Sequence, residues 1–411
     1  MKNSDELLKA YREHLNPNNA DFLQRVGLDS TVAEAKGALV RDERGREFID
    51  FLAGYGVFNL GHNPRRIVDA LRDDLEKLPL WNRPFLSEPL ANLATRLAAL
   101  APGDLNRVFM CSTGAEAVES AIKLARLATR RSGIVAAEGA FHGFTIGALS
   151  ASGIPGQSRP FKPLLPGITH VPFGDVDALA EAVSSETAAV LLEPFQAEIG
   201  AATPPEGYLS AAREVCDRHG ALLMIDEVRT GMGRTGPMFA VEHDGVVPDV
   251  LMLGKSLSGG IVPIGAIVAR SEVWGRFGLS FSMSASSFAG NRLACVAALA
   301  ALEVLEHENV LDAGRVAAEK LWKGLAELVA DYPSHLTHLT GKGMLVGVHL
   351  PNVRVANDLV TQSIAKDLLV GTAFCNGRCI LIEPPLIIGP DELDRGLMMM
   401  RGALDDIAQS Q

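Results

Sequence analysis

Two rhythms of apolar residues alternate through the middle of this chain. Across residues 112–131, Val118, Ile122 and Ala125 recur every three to four positions and predict a helix with one buried face. The run Gly133-Ile-Val-Ala-Ala then reads as a strand. Residues 188–192, Ala-Ala-Val-Leu-Leu, are continuously apolar, the pattern of a strand covered on both faces. A helix is predicted over 207–219, a second buried strand over 221–225 ending in Asp226, and a third over 250–253 just before Lys255. Strand and helix in alternation predict an α/β fold, a large and mostly parallel sheet wrapped by helices.

The chain ends follow another pattern. The turn signal Asp42-Glu-Arg-Gly45 separates two short strands. From residue 311 the predicted order is helix, strand (343–350), helix, strand (380–382), helix. Together they predict a smaller α+β unit built from both ends, with residues 1–57 and 311–411 flanking a large domain of 58–310. A length of 411 residues suits that division better than one core.

Composition narrows the function. A hydrophobic fraction of 47% with 21% charged residues predicts a packed chain, and a net charge of −11 argues against nucleic acid as a partner. The polar N-terminus offers no signal-peptide core, and no segment has the roughly 18 consecutive apolar residues of a membrane helix. Five scattered cysteines without a C-x-x-C pair predict neither a metal site nor a disulfide framework, and make a reducing cytoplasm the expected location.

In a parallel sheet, ligands gather at the carboxyl ends of strands, where Asp226 and Lys255 both fall. A lone lysine there has a plainer reading as a snorkelling surface residue. The run 226–236 contains Gly231, Gly233 and Gly236 in a G-x-G-x-x-G spacing, which raises a nicotinamide-dependent oxidoreductase as an alternative. However, five residues intervene after the strand and Pro237 follows with no helical pattern. A phosphate loop at Gly254-Lys255-Ser256 fails, because the glycine it needs five residues earlier is Asp249.

The run Asp226-Glu-Val-Arg-Thr-Gly-Met-Gly-Arg-Thr-Gly, with Leu253-Gly-Lys-Ser-Leu-Ser-Gly-Gly and Pro263-Ile-Gly-Ala, resembles the core of class III (omega) aminotransferases. Ser112-Thr-Gly-Ala-Glu-Ala-Val-Glu, Phe141-His-Gly, Glu193-Pro-Phe-Gln-Ala-Glu, Ser287-Phe-Ala-Gly-Asn and Gly341-Lys-Gly-Met follow in the family's order. Phe58-Asn-Leu-Gly-His and Ile382-Glu-Pro-Pro-Leu are most similar to the putrescine (diamine) branch. The resemblance covers roughly residues 30 to 400.

It implies a PLP-dependent transferase of fold type I, a homodimer with shared active sites, and pyridoxal 5′-phosphate (PLP) as a Schiff base on Lys255. Ping-pong transamination between an amine donor and a carbonyl acceptor would follow, with a primary amine or diamine as donor. A PLP aminomutase, racemase or decarboxylase of the same fold is the nearer alternative. Lys255 would also move the proton at the substrate carbon, and Asp226 would keep the pyridine nitrogen protonated. Val228 and Phe141 would sandwich the ring, with His142 nearby. Thr113, Gly114 and Ala115 would offer phosphate the free N–H groups of a helix start, although Ser112-Thr113 reads equally as a plain helix cap. Ser287, where the family usually has Thr, would reach the neighbouring subunit's phosphate. Tyr55 and Phe58 would line the substrate entrance, with core packing as the alternative for each.

Two positions depart from the family. Arg229 replaces the usual Gln, and either donates to the cofactor's phenolic oxygen or turns away to a carboxylate. Leu381 replaces an Arg that clamps 2-oxoglutarate in many members; losing such a buried pair costs roughly 3–5 kcal/mol. The acidic partner of that Arg remains as Glu198, which is expected to receive the distal ammonium of a diamine or an amino-sugar-like substrate.

Overall fold

In the computed structural model, which describes residues 4–77, 85–278 and 286–410, seven strands form the central sheet. Their order across the sheet is Leu105–Cys111, Gly265–Arg270, Val250–Leu253, Leu222–Asp226, Thr187–Leu192, Gly133–Ala137 and Ile168–Val171. All neighbours are parallel except Gly265–Arg270, which runs antiparallel to both of its partners. Every residue of Thr187–Leu192 and of Val250–Leu253 is buried.

The alternation of side chains across the sheet accounts for those continuous apolar runs. Leu223 and Ile225 point into one core cluster, while Met224 between them joins the cluster on the opposite face, beside Ile122 and Ala125. Both faces are covered, so no position along these strands can be polar without a partner. Each such side chain contributes on the order of 1.5–3 kcal/mol by leaving water. The helix Gly114–Thr129 covers the second face and presents Ala117, Val118, Ala121, Ile122, Leu124 and Ala125 to it.

Two smaller sheets come from the chain ends. Val32–Lys36, Leu39–Asp42 and Glu47–Asp50 form an antiparallel set, and Leu368–Leu369 adds to it in parallel beside Glu47–Asp50. The other sheet, all antiparallel, has the order His338–Lys342, Leu345–His349, Asn376–Ile382, Gly371–Ala373. Here the expected elements need correction. The strand predicted over 343–350 is one arm of a hairpin, and the one predicted over 380–382 starts at Asn376 and pairs with Gly371–Ala373. The added strands are short, and His338–Lys342 is partly exposed along its length, so neither gives an apolar run to read.

The glycine-rich run does not open a helix. It folds into turns around Arg234, which is fully buried and donates to Asn59 Oδ1 (2.6 Å), Pro384 O (2.7 Å) and Met344 O (2.9 Å). Gly233 takes a left-handed φ of 84°. The run therefore ties both ends of the chain to the central sheet, which is not the strand-to-helix geometry of a dinucleotide site.

Candidate active site

Four adjacent parallel strands end on the same side of the sheet, and the residues just beyond them converge. The strand Gly133–Ala137 leads to the Phe141-His142-Gly143 loop, Thr187–Leu192 to Glu193, and Leu222–Asp226 ends in Asp226 itself; Lys255 follows Val250–Leu253. A cavity of about 160 Å³ lies between them, lined also by Gly114, Ala115, Glu198, Val228 and Arg229. A larger opening of about 1080 Å³, beside the Val310–Asp331 helix, contains neither Asp226 nor Lys255.

Lys255 faces the cavity from a left-handed backbone conformation, φ 45°. That conformation costs a non-glycine residue free energy, and such strain collects where a side chain must be aimed. Its amine makes no hydrogen bond with a described residue. Burial, and then the nearby Arg229 charge, lower its pKa to about 8, so a minor but appreciable fraction of it is the free base near neutral pH.

Asp226 is held on both oxygens. Oδ1 accepts from Val228 N at 3.0 Å, and Oδ2 lies 2.7 Å from His142 Nδ1. The backbone N–H of His142 donates to Ser152 Oγ at 2.9 Å, and its buried Nε2 has no partner among the described residues. Glu193, absent from the sequence-derived site, completes this wall by accepting from Phe141 N at 2.9 Å. Burial, together with the Asp226 charge, pushes its carboxyl well above the usual range.

The helix start closes another side. Thr113 is the helix cap, its hydroxyl accepting from Glu116 N at 3.2 Å, whereas Gly114 and Ala115 line the cavity. Gly114 is required by space: a Cβ there would lie 2.8 Å from Val228 Cγ1.

Arg229 answers the question that its sequence left open, because it turns to carboxylates. Nε donates to Glu383 Oε1 at 3.0 Å, and its terminal nitrogens form short bonds to Glu383 Oε2 and Glu198 Oε1. Burial pulls the guanidinium pKa down, but the two glutamates outweigh it and hold it above the ordinary arginine range. The premise that Glu198 lacks an arginine is therefore corrected. Arg229 supplies the missing charge from another strand end, and Phe374 N also donates to Glu198 Oε2 at 3.3 Å. Glu383, which no expectation singled out, is the third member; only the fold brings residues 198, 229 and 383 together.

The remaining expected residues stand outside the cavity lining. Leu381 is fully buried in a cluster with Phe195, Ala197 and Leu345. Its alternation along Asn376–Ile382 points it into packing. Phe58 packs against His62 with ring centroids 4.4 Å apart and the planes tilted by 40°, its ring filling the space above Gly54 and Gly260. Tyr55 adjoins the site through Arg229, whose guanidinium carbon is 5.5 Å from the ring centroid. Ser287 is exposed. Among the described residues no cluster of His, Cys, Asp or Glu could hold a metal ion, and no helix is long and apolar enough to cross a membrane.

A family model described as aminotransferase class-III matches residues 24–404. Among solved structures, an ornithine aminotransferase from Toxoplasma gondii is 32% identical, with a TM-score of 0.92 over 100% of this chain and 96% of that one. It is described with partial occupancy of PLP at its active site. An (S)-enantioselective omega-transaminase from Thermomicrobium roseum is 30% identical, with a TM-score of 0.89 over 99% of each chain. An acetylornithine aminotransferase from Elizabethkingia anophelis is 28% identical, with a TM-score of 0.84 over 99% of this chain and 100% of that one.

Proposed function

Because this chain belongs to the class-III aminotransferase family, we propose that it moves the amino group of a primary amine or diamine to a carbonyl acceptor, using PLP at the Lys255 cavity. The family uses PLP, and the residues present fit it: an amine with no hydrogen bond among the described residues, a fixed carboxylate and a helix N-terminus opened by Gly114 meet on one cavity. That convergence is the observation that carries the reading.

When bound, PLP supplies an electron sink for bonds broken at the substrate carbon. Lys255 would attach the cofactor and would take and return the proton at that carbon. Asp226, oriented by His142 and Val228 N, holds a proton on the ring nitrogen. The free N–H groups at Gly114 and Ala115 hold the phosphate, and Phe141 and Val228 give the cavity apolar walls. Ser287, exposed, is assigned to the same site of a second subunit in a homodimer, and the cytoplasm is the proposed location.

The donor class rests on Arg229. Two glutamates already hold its guanidinium, leaving the group of three with one net negative charge and no free cation for a substrate carboxylate. This favours amines and diamines over amino acids. The test is the visible absorbance of the PLP-loaded protein with single donors and no acceptor. Butane-1,4-diamine or another primary amine should bleach the band, while alanine and glutamate should not. Bleaching by amino acids alone would overturn the donor assignment, and absence of any visible band after PLP is supplied would overturn the cofactor reading.

A further inference from the structure

Arg229 is fixed on every side. Its Nε donates to Glu383 Oε1 at 3.0 Å, and its terminal nitrogens reach Glu383 Oε2 and Glu198 Oε1. All three side chains are buried. The glutamates are themselves tied down. Phe374, at the tip of the hairpin between Gly371–Ala373 and Asn376–Ile382, donates its N–H to Glu198 Oε2 at 3.3 Å. The backbone N–H of Glu383 donates to Phe51 O at 2.6 Å. Turning Arg229 towards a ligand would leave two buried carboxylates without their cation.

A strained turn closes over this group. Residues 53–56 (Ala53, Gly54, Tyr55 and Gly56) take left-handed φ values of 44°, 61°, 59° and 78° in succession. Two of the four are not glycine, so the turn costs free energy that its surroundings must supply. Asp50 supplies part of it. Its Oδ1 accepts from Leu52 N and Ala53 N, each at 2.8 Å, while Oδ2 lies 2.8 Å from His62 Nε2. A Cβ on Gly56 would lie 3.4 Å from both Arg229 Cγ and Glu383 Oε1, so the end of the turn packs on the ion group.

The cavity beside that group is acidic. Arg229 and Lys255 are the only arginine and lysine among the described residues lining it, and Glu193, Glu198 and Asp226 line it too. Even with Lys255 charged and Glu193 protonated, two cations stand against three carboxylates, those of Glu198, Asp226 and Glu383. Glu193 registers this field. Burial and then the Asp226 charge push its carboxyl well above the usual range, although Phe141 N donates to it. A carboxylate carried in by a ligand would meet the same field with no free guanidinium to receive it.

We propose that the amino-group acceptor is an aldehyde or ketone without a carboxylate, and that Arg229, locked between Glu198 and Glu383, is the residue that excludes acceptors bearing one. The inference rests on the reading that transamination takes place at the Lys255 cavity, and it extends that reading from the donor to the acceptor. The exchange balances. The donor carbon gives up its amino group, a proton and two electrons and becomes a carbonyl, taking its oxygen from water. The acceptor carbon takes up all three and releases its oxygen as water, so no further oxidant or reductant enters.

The test loads the protein with pyridoxamine 5′-phosphate, so that no donor is needed, and follows return of the visible band on adding single carbonyl compounds. Butanal should restore the band roughly a hundredfold or more faster than 4-oxobutanoate, which differs from it by a carboxylate in place of a methyl, and faster than 2-oxoglutarate. Glutarate, a dicarboxylate that cannot react, gives a readout independent of turnover. In calorimetric titration of the PLP-loaded protein it should bind Glu198→Gln and Glu383→Gln roughly tenfold or more tighter than the unaltered protein. An unchanged melting temperature and visible band would establish that the variants are folded and loaded, and the butanal comparison decides the matter without them. Restoration by 4-oxobutanoate or 2-oxoglutarate as fast as by butanal would overturn the proposal and leave transamination standing. Equal glutarate binding by folded variants and unaltered protein would overturn the role given to Arg229. Failure of every carbonyl compound to restore the band would overturn the transamination reading as well.

Discussion

Lys255 and Arg229 illustrate how far one side chain's chemistry depends on its neighbours. An ordinary lysine stays charged to about pH 10.5, but this one is brought to about 8, first by burial and then by Arg229. Because the folded state lowers the affinity for the proton, the free amine is the form that folding favours. In the apoprotein this cost of burying the charge is fully present below about pH 8 and is relieved as pH rises towards 10.5. The rate at which apoprotein takes up PLP, followed by visible absorbance, should therefore climb with pH and level off just above 8. A profile still climbing at pH 10 would show that the amine is not depressed. Lys255 and Asp226 were legible in the sequence because each directly follows an apolar run that can only be a strand. The partners of Arg229 were not, because Glu198 and Glu383 lie 31 and 154 residues away and no local pattern links them.

The helix Gly114–Thr129 shows what an element adds. Its apolar spacing announced it, and Thr113 caps it as a hydroxyl at that place should. Its distance from the strand-end loop is a separate matter, set by the absence of a Cβ at Gly114 above Val228. Gly114→Ala should push the helix start away from the cavity and weaken PLP binding about tenfold, or roughly 1.4 kcal/mol. Adding Val228→Ala should recover most of the loss by clearing the contact. Equilibrium titration with PLP checks both, and an unchanged affinity in the single variant would mean that the helix start is not the phosphate's seat. The Phe141-His142-Gly143-Phe144 loop is the complementary case. Its motif was readable, but Phe144 and the hairpin tip at Phe374 gave no signal, since a hydrophobic residue in a loop has no periodicity to betray it.

Across the whole molecule, the two chain ends are locked together by Arg46. Its guanidinium donates to Asp367 Oδ1 at 3.0 Å, Ile364 O at 2.7 Å and Gly27 O at 3.0 Å, beside the parallel pairing of Leu368–Leu369 with Glu47–Asp50. Arg46→Ala should destabilise the protein by about 2–3 kcal/mol, since hydrogen bonds to a charged group are lost and carbonyls near the sheet are left unpaired. Urea unfolding monitored by far-UV circular dichroism measures this, and a change below about 0.5 kcal/mol would mean that the pairing of the ends does not depend on it. The sequence by itself determined the elements of the central sheet, its helices and the two strand-end residues, Asp226 and Lys255, that share one cavity, because burial on both faces forces continuous apolar runs and parallel strands leave ligand groups at their ends. Tertiary packing decided what surrounds those residues: the Arg229 group and the short paired strands of the C-terminal sheet. Each of these depends on distant segments meeting, and the free energy of such a meeting resides in contacts that no stretch of the chain contains alone.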